Sequence, residues 1–239
     1  MTSNEPRSPG GNARGGCVER SARRLAWILI LVGLPILLAA LRWDDALWRF
    51  RGEPLEGTWL RVARVFSASA NGGVLIPAGA AAVAWLAWRR RFHPARWILA
   101  MVLAGSIAGL TGTVLRSLIG RARPLAHVTQ GWHGPRVDGH WVLGKHSYGA
   151  FPSGHTSLAA GFGAFLFLHR RRHGLLGLAY AAAVGWSRVE LGAHRPSDVV
   201  AGLMVGSSVS LLVGPPLLAR LAAWCPDKPV DGGRPGAAP

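Results

Sequence analysis

Residues 25–41 read LAWILILVGLPILLAAL, seventeen positions without a charge. A helix of that length rises about 25 Å, close to the lower limit for crossing roughly 30 Å of hydrocarbon. Arg20, Arg23 and Arg24 precede the run and Ala39-Ala40 lies near its end, a pattern that also fits a cleaved secretory leader. The polar stretch ahead of it is long and further apolar runs follow. It is therefore read as an uncleaved first transmembrane helix.

Five more uncharged runs occupy 65–88, 97–115, 156–168, 174–187 and 199–219. The runs at 156–168 and 174–187 are short. They span only if 147–155 and Arg188 sit at membrane depth facing protein. Composition agrees with a membrane chain: 50% hydrophobic, 16% charged, against about 25% charged in soluble domains. The net charge of +16 lies in short clusters between apolar runs, not on a polar scaffold, so nucleic acid is not the expected partner. Cys17 and Cys225 stand near opposite ends and form neither a disulfide framework nor a CxxC metal signature.

The expected architecture is an all-α polytopic protein with six transmembrane helices over 25–220, flanked by disordered tails at 1–24 and 221–239. Residues 42–58, with Asp44, Asp45, Trp43 and Trp48, read as an interfacial loop. Leu55, Trp59, Val62 and Phe66 recur at helical spacing, which fits either a surface-lying amphipathic helix or the start of the next span. The basic loops at 89–96 and 170–172 share a side with both tails. Counting all basic residues, 15 of 27 fall there and 12 on the other side. That side is expected to be cytoplasmic, in the cell (inner) membrane. The outer connections then carry every chemically suggestive segment.

Three such segments, 116–124, 151–155 and 187–198, set ionisable groups at the ends of apolar runs, where they are costly unless used. Arg116 and Arg123 are seven apart, so on a continuous helix they share a face about 10 Å apart along the axis and can converge on a small anion. A topology or headgroup anchor is the blander alternative. Phe151-Pro-Ser153-Gly154-His155 leads into an apolar run. Ser153 suits an N-cap, and the first N–H groups of a helix bind phosphate readily, with Gly154 allowing close approach. Arg188, His194 and Asp198 form the third group. A carboxylate on one ring nitrogen of His194 leaves the other nitrogen as a lone-pair nucleophile. His127, His133, His140 and His146 lie between the first two segments at irregular spacing and are read as loop residues, not as metal ligands.

The ordered pattern R-x6-RP, PSGH and SR-x5-H-x3-D resembles the three-part signature of the type 2 phosphatidic acid phosphatase (PAP2) superfamily, in its bacterial membrane lipid phosphatase branch. The family usually opens its first motif with Lys where Arg116 stands here. The resemblance implies a six-helix bundle in which His194 is the nucleophile, Asp198 orients it and His155 acts as general acid and base. It further implies that Arg116, Arg123, Ser153, Gly154 and Arg188 bind the phosphate, with no metal and no cofactor. The implied activity is removal of a phosphate monoester or diphosphate from a lipid, with polyprenyl diphosphate, phosphatidate and phosphatidylglycerophosphate all fitting. A lipid phosphotransferase using the same intermediate and a non-catalytic lipid-phosphate binder remain alternatives. Oligomeric state is left open.

Overall fold

The structure is a computed structural model and describes residues 10–224. Seven helices run α1 (Gly10–Phe50), α2 (Gly57–Ser69), α3 (Gly72–Trp88), α4 (Phe92–Ile119), α5 (Gly154–His169), α6 (Arg171–Glu190) and α7 (Pro196–Trp224). Every apolar run read from the sequence falls on helix, apart from a break at 70–71 inside 65–88. Three helices, α1, α4 and α7, are long and apolar enough to cross a membrane unaided, and α2 with α3 forms a fourth candidate bent by 57°. At 16 residues α5 rises only about 24 Å, and α6 carries Arg171 and Arg172 at one end and Arg188 and Glu190 at the other. Length and composition thus support fewer spans than the six expected.

The run 65–88 is one of the differences. It was expected as a single span, but the chain breaks at Ala70–Asn71, where Asn71 Oδ1 accepts from Gly73 N and caps α3. Nor does α2 lie apart on a surface. Its Ala63 and Ser67 are buried against α6, whereas Trp59, on the stripe seen in the sequence, faces outward. The stripe counted aromatic size, but small side chains let the two helices close together.

Residues 10–24 and 42–50 also depart from expectation, since both belong to α1 and are neither tail nor loop. Ala22 and Ala26 are buried, Ala26 against Ala164 and Leu211, and Arg23 pairs with Glu19 one turn back at 2.7 Å. Residues 221–224 likewise complete α7. The expected tails at 1–9 and 225–239 lie outside the described residues.

At the centre stands α5, packed on α4, α6 and α7, while α1 lies along α7 and α3 along α4. Small residues permit this: a Cβ on Gly163 would fall 2.8 Å from the backbone of Gly177 on α6, so only glycine allows that crossing. The connection 120–153 holds a two-residue hairpin, β1 (Arg136–Val137) and β2 (His140–Trp141), the sole strand pair among the described residues. Its turn has Asp138 and Gly139 at positive φ, an Asp-Gly hairpin signal that the all-α reading passed over.

Candidate active site

The C-terminal ends of α1, α4 and α6 and the N-terminal ends of α5 and α7 meet at one end of the bundle, and all three sequence motifs lie there. They do not assemble quite as the spacing suggested. α4 stops at Ile119, and Gly120 turns left-handed (φ 62) with its N–H on the Arg116 carbonyl. A Cβ there would meet Gly134 O at 1.8 Å, so the turn requires glycine. Arg123 therefore does not share a helix face with Arg116. It sits in extended chain stitched to the loop by Ala122 N→Gly131 O and Arg123 N→Ser147 O, both 2.9 Å. This fold-back brings Arg123 to the cluster, where its Nη2 donates to Gly149 O at 3.3 Å.

Arg116 reaches the α5 N-terminus from the other side: a Cβ on Gly154 would lie 3.4 Å from Arg116 Nη1. Arg188 comes from the last turn of α6 and donates through Nη1 to Ser67 Oγ at 2.6 Å, so the α2 residue Ser67 aims it. Arg123 Nε and Nη1, Arg188 Nε and His194 Nε2 are buried without a hydrogen-bond partner among the described residues. Buried donors are rarely left unmatched. Here several of them, from two arginines, share a site with one ring nitrogen.

Ser153 occupies the N-cap position of α5 but does not cap it through its side chain. Its hydroxyl accepts from Thr156 Oγ1 at 2.9 Å, which leaves its own proton for another acceptor. Its N–H donates to the Asp198 carbonyl at 2.9 Å and ties the second motif to the third.

His194 is fully buried. Its Nδ1 lies 2.7 Å from the Ala150 carbonyl and 3.7 Å from Asp198 Oδ2. The expected Asp198 hydrogen bond is therefore not the one that holds the ring. Asp198 is instead drawn to Arg121 Nη1 at 2.6 Å and to the Arg195 N–H at 2.7 Å. With Nδ1–H on a carbonyl, which can only accept, the lone pair stays on Nε2. Burial pushes the His194 pKa down to about 4, against the opposing pull of the Asp198 carboxylate, with Arg123 and Arg188 lowering it further. The Arg123 guanidinium falls to about 10, first through burial and then through the nearby Arg188 and Arg116 charges. His146 is likewise lowered, chiefly by Arg123. His155 lies in the same field, within electrostatic reach of Arg188, His194, Arg116 and Arg123. The two imidazoles are thus at the same end of the bundle and in one cluster.

Cavities flank this cluster, a small one of about 100 Å³ lying against Arg116, Arg123 and His146. One of about 400 Å³ runs between α3, α4 and α5, with Ile76, Leu110 and Leu158 on its walls and Arg116, Gly154 and His155 at its head. Another of about 500 Å³ is bordered by Arg123, His127, His146 and Arg188. A groove of about 530 Å³ between α1, α5, α6 and α7 is lined by no titratable side chain and is no catalytic candidate. Two charged residues gain a place at the site that the sequence reading did not give them: Asp44, read as part of an interfacial loop, and Arg121. Both are buried and bonded to the third motif. The only signal was an acidic residue closing the first apolar run on the same side as the motifs.

The family profile of the PAP2 superfamily matches residues 94–215, just over half of the chain and all three motifs. Lipid A 1-phosphatase of Rhizobium johnstonii is 40% identical over 107 residues, 44% of this chain and 41% of that one. The bacitracin transport permease protein BcrC of Bacillus licheniformis is 34% identical over 117 residues, 48% of this chain and 53% of that one. The chain spans about half the length of the curated relatives it matches. Its fold is similar to the crystal structure of a transmembrane PAP2 type phosphatidylglycerolphosphate phosphatase from Bacillus subtilis. The TM-score is 0.56 at 23% identity, covering 79% of this chain and 93% of that one. The motifs, the helical end they share and the profile match agree: the chain belongs to the PAP2 superfamily.

Proposed function

We propose that this protein hydrolyses the terminal phosphate of a lipid phosphate monoester or diphosphate, at the outer face of the cell membrane, through a phospho-histidine on His194. The observation that carries the reading is the unmatched buried donor set of Arg123 and Arg188 converging with the free Nε2 of His194. In the first half-reaction Nε2 attacks phosphorus as the bond to the lipid oxygen breaks, and His155 gives that oxygen its proton. In the second, His155 takes a proton from water. The water oxygen attacks phosphorus, the P–N bond breaks, and inorganic phosphate leaves.

Phosphoryl transfer is largely positioning plus charge stabilisation. Arg116, Arg123 and Arg188, with the Gly154 N–H and the Ser153 hydroxyl, supply both, so the reading requires no metal ion. The apolar cleft that ends at His155 supports a lipid leaving group, because the acid stands where an acyl or isoprenoid tail would arrive. Relatives named for lipid A and undecaprenyl diphosphate point to the same class of amphiphile. In this reading α1, α3, α4, α5, α6 and α7 are the six spans, with α2 the bent entry to the second. Both termini are cytoplasmic.

Phosphate release from a panel of lipid phosphates in detergent, isoprenoid and diacyl, tests this directly. Release from at least one member, abolished in His194→Ala, is expected. Undiminished release by that variant would end the reading, and phosphate appearing on an added lipid acceptor in place of water would redefine the enzyme as a transferase.

A further inference from the structure

Asp44 lies on α1 near its end, 4% exposed, in a helix that contributes no motif residue. Its Oδ2 accepts from Arg121 Nη2 at 2.6 Å, and its Oδ1 accepts from the Ser197 N–H at 3.0 Å. The Ser197 hydroxyl donates to it as well. Arg121 uses its other fork nitrogen on Asp198 Oδ1 at 2.6 Å and on Ser197 Oγ at 2.7 Å, while Trp132 covers its guanidinium at 4.5 Å. One buried guanidinium is thereby shared between a carboxylate of α1 and the carboxylate beside the nucleophile.

We propose that Asp44 and Arg121 are positioning residues for the His194–Asp198 pair, with Asp44 drawing off part of the Arg121 charge so that Asp198 keeps a net negative field on the His194 ring. The inference rests on the functional reading above. Two carboxylates and one guanidinium leave the cluster one negative charge. When Nε2 bonds to phosphorus while Nδ1 keeps its proton, the ring gains positive charge. A net anion 3.7 Å from Nδ1 stabilises it. Without Asp44, Arg121 would offset Asp198 fully, and the ring would be left to the field of the cations Arg123 and Arg188. An ion pair that served only to hold α1 in place would be complete with Asp44 and Arg121 alone. Here the fork extends to the residue next to the nucleophile.

The test measures wild type, His194→Ala, Asp44→Asn and the double variant Asp44→Asn/Arg121→Gln in one assay, per monodisperse purified molecule. Asp44→Asn is expected to lower kcat about tenfold or more while KM stays within about threefold. The double variant, which removes both charges and returns the cluster to one net negative, is expected to recover part of that kcat. If Asp44→Asn yields no monodisperse protein, Arg121→Lys replaces it. Lysine keeps the charge but cannot fork across two carboxylates, so the same kcat loss at unchanged KM is expected. With wild type active and His194→Ala dead, wild-type kcat in Asp44→Asn or in Arg121→Lys overturns the inference and leaves the functional reading standing. A double variant no better than Asp44→Asn also overturns it. If wild type releases no phosphate, or His194→Ala is equally active, the functional reading falls and the inference with it.

Discussion

His194 is anchored to Ala150: its Nδ1 lies 2.7 Å from that carbonyl, closer than any carboxylate oxygen. The backbone just ahead of the second motif therefore sets the tautomer of the third. A carbonyl takes a hydrogen bond but brings no charge. The field on the ring is left to Asp198, at 3.7 Å, and to the groups that share Asp198.

That geometry makes His194 the residue whose loss matters most. On the proposed role of His194 as the phosphoryl acceptor, His194→Ala should reduce phosphate release by about a thousandfold or more. A decrease of only a few-fold, measured as inorganic phosphate from purified protein, would contradict the assignment.

Its ring should titrate far below an ordinary histidine. Burial disfavours the imidazolium, so the neutral ring persists from pH 8 down to about 4 and is lost only as the pH falls through that value. Ring 15N shifts of labelled protein in detergent, compared with His194→Ala to identify the signal, report this. A resonance titrating near 6.5 would show a solvated ring.

Arg116 stands where the family usually carries lysine, and both side chains present a cation to the α5 N-terminus. Arg116→Lys should keep activity within about threefold, whereas Arg116→Ala should lose about a hundredfold through weaker transition-state binding. Equal activity in all three proteins would remove Arg116 from the phosphate site.

The proposed phosphate grip by Arg116, Arg123 and Arg188 predicts full activity in EDTA. A loss on chelation that added Mg²⁺ or Zn²⁺ restores would point to a metal route.

Topology can be read with thiol reagents. Cys17 is exposed on α1 at the end remote from the motifs, and His140 is exposed on the hairpin at the motif end. In intact cells His140→Cys should react with an impermeant maleimide, while wild type should react only after permeabilisation. Labelling of wild-type protein from outside would reverse the orientation.

Much of this protein was readable from local sequence. Uncharged runs of thirteen to twenty-four residues fix helices, because unpaired backbone groups are intolerable in hydrocarbon, and the three motifs identify themselves by residue type and order. The break in 65–88 was less legible, since Asn71 is uncharged and follows Ser67 and Ser69 in the same run, and its capping role depends on where the chain turns. The halt of α4 at Gly120 was harder still: glycine permits a bend, but the loop that folds back so that Gly134 N and His133 N donate to the Ile119 and Gly120 carbonyls is distant in sequence.

What the residues alone determined is the inventory: a helical membrane chain of the PAP2 superfamily with His155, His194, Asp198 and three arginines near the ends of apolar runs. What only the tertiary structure decided is who holds whom. The Ala150 carbonyl accepts from His194 Nδ1, Ser67 aims Arg188, and Arg121 joins Asp44 to Asp198 across 77 positions of chain on either side. Hydrogen bonds and buried charges act over about 3 Å of space whatever their separation in sequence, so such partnerships arise only when the helices pack.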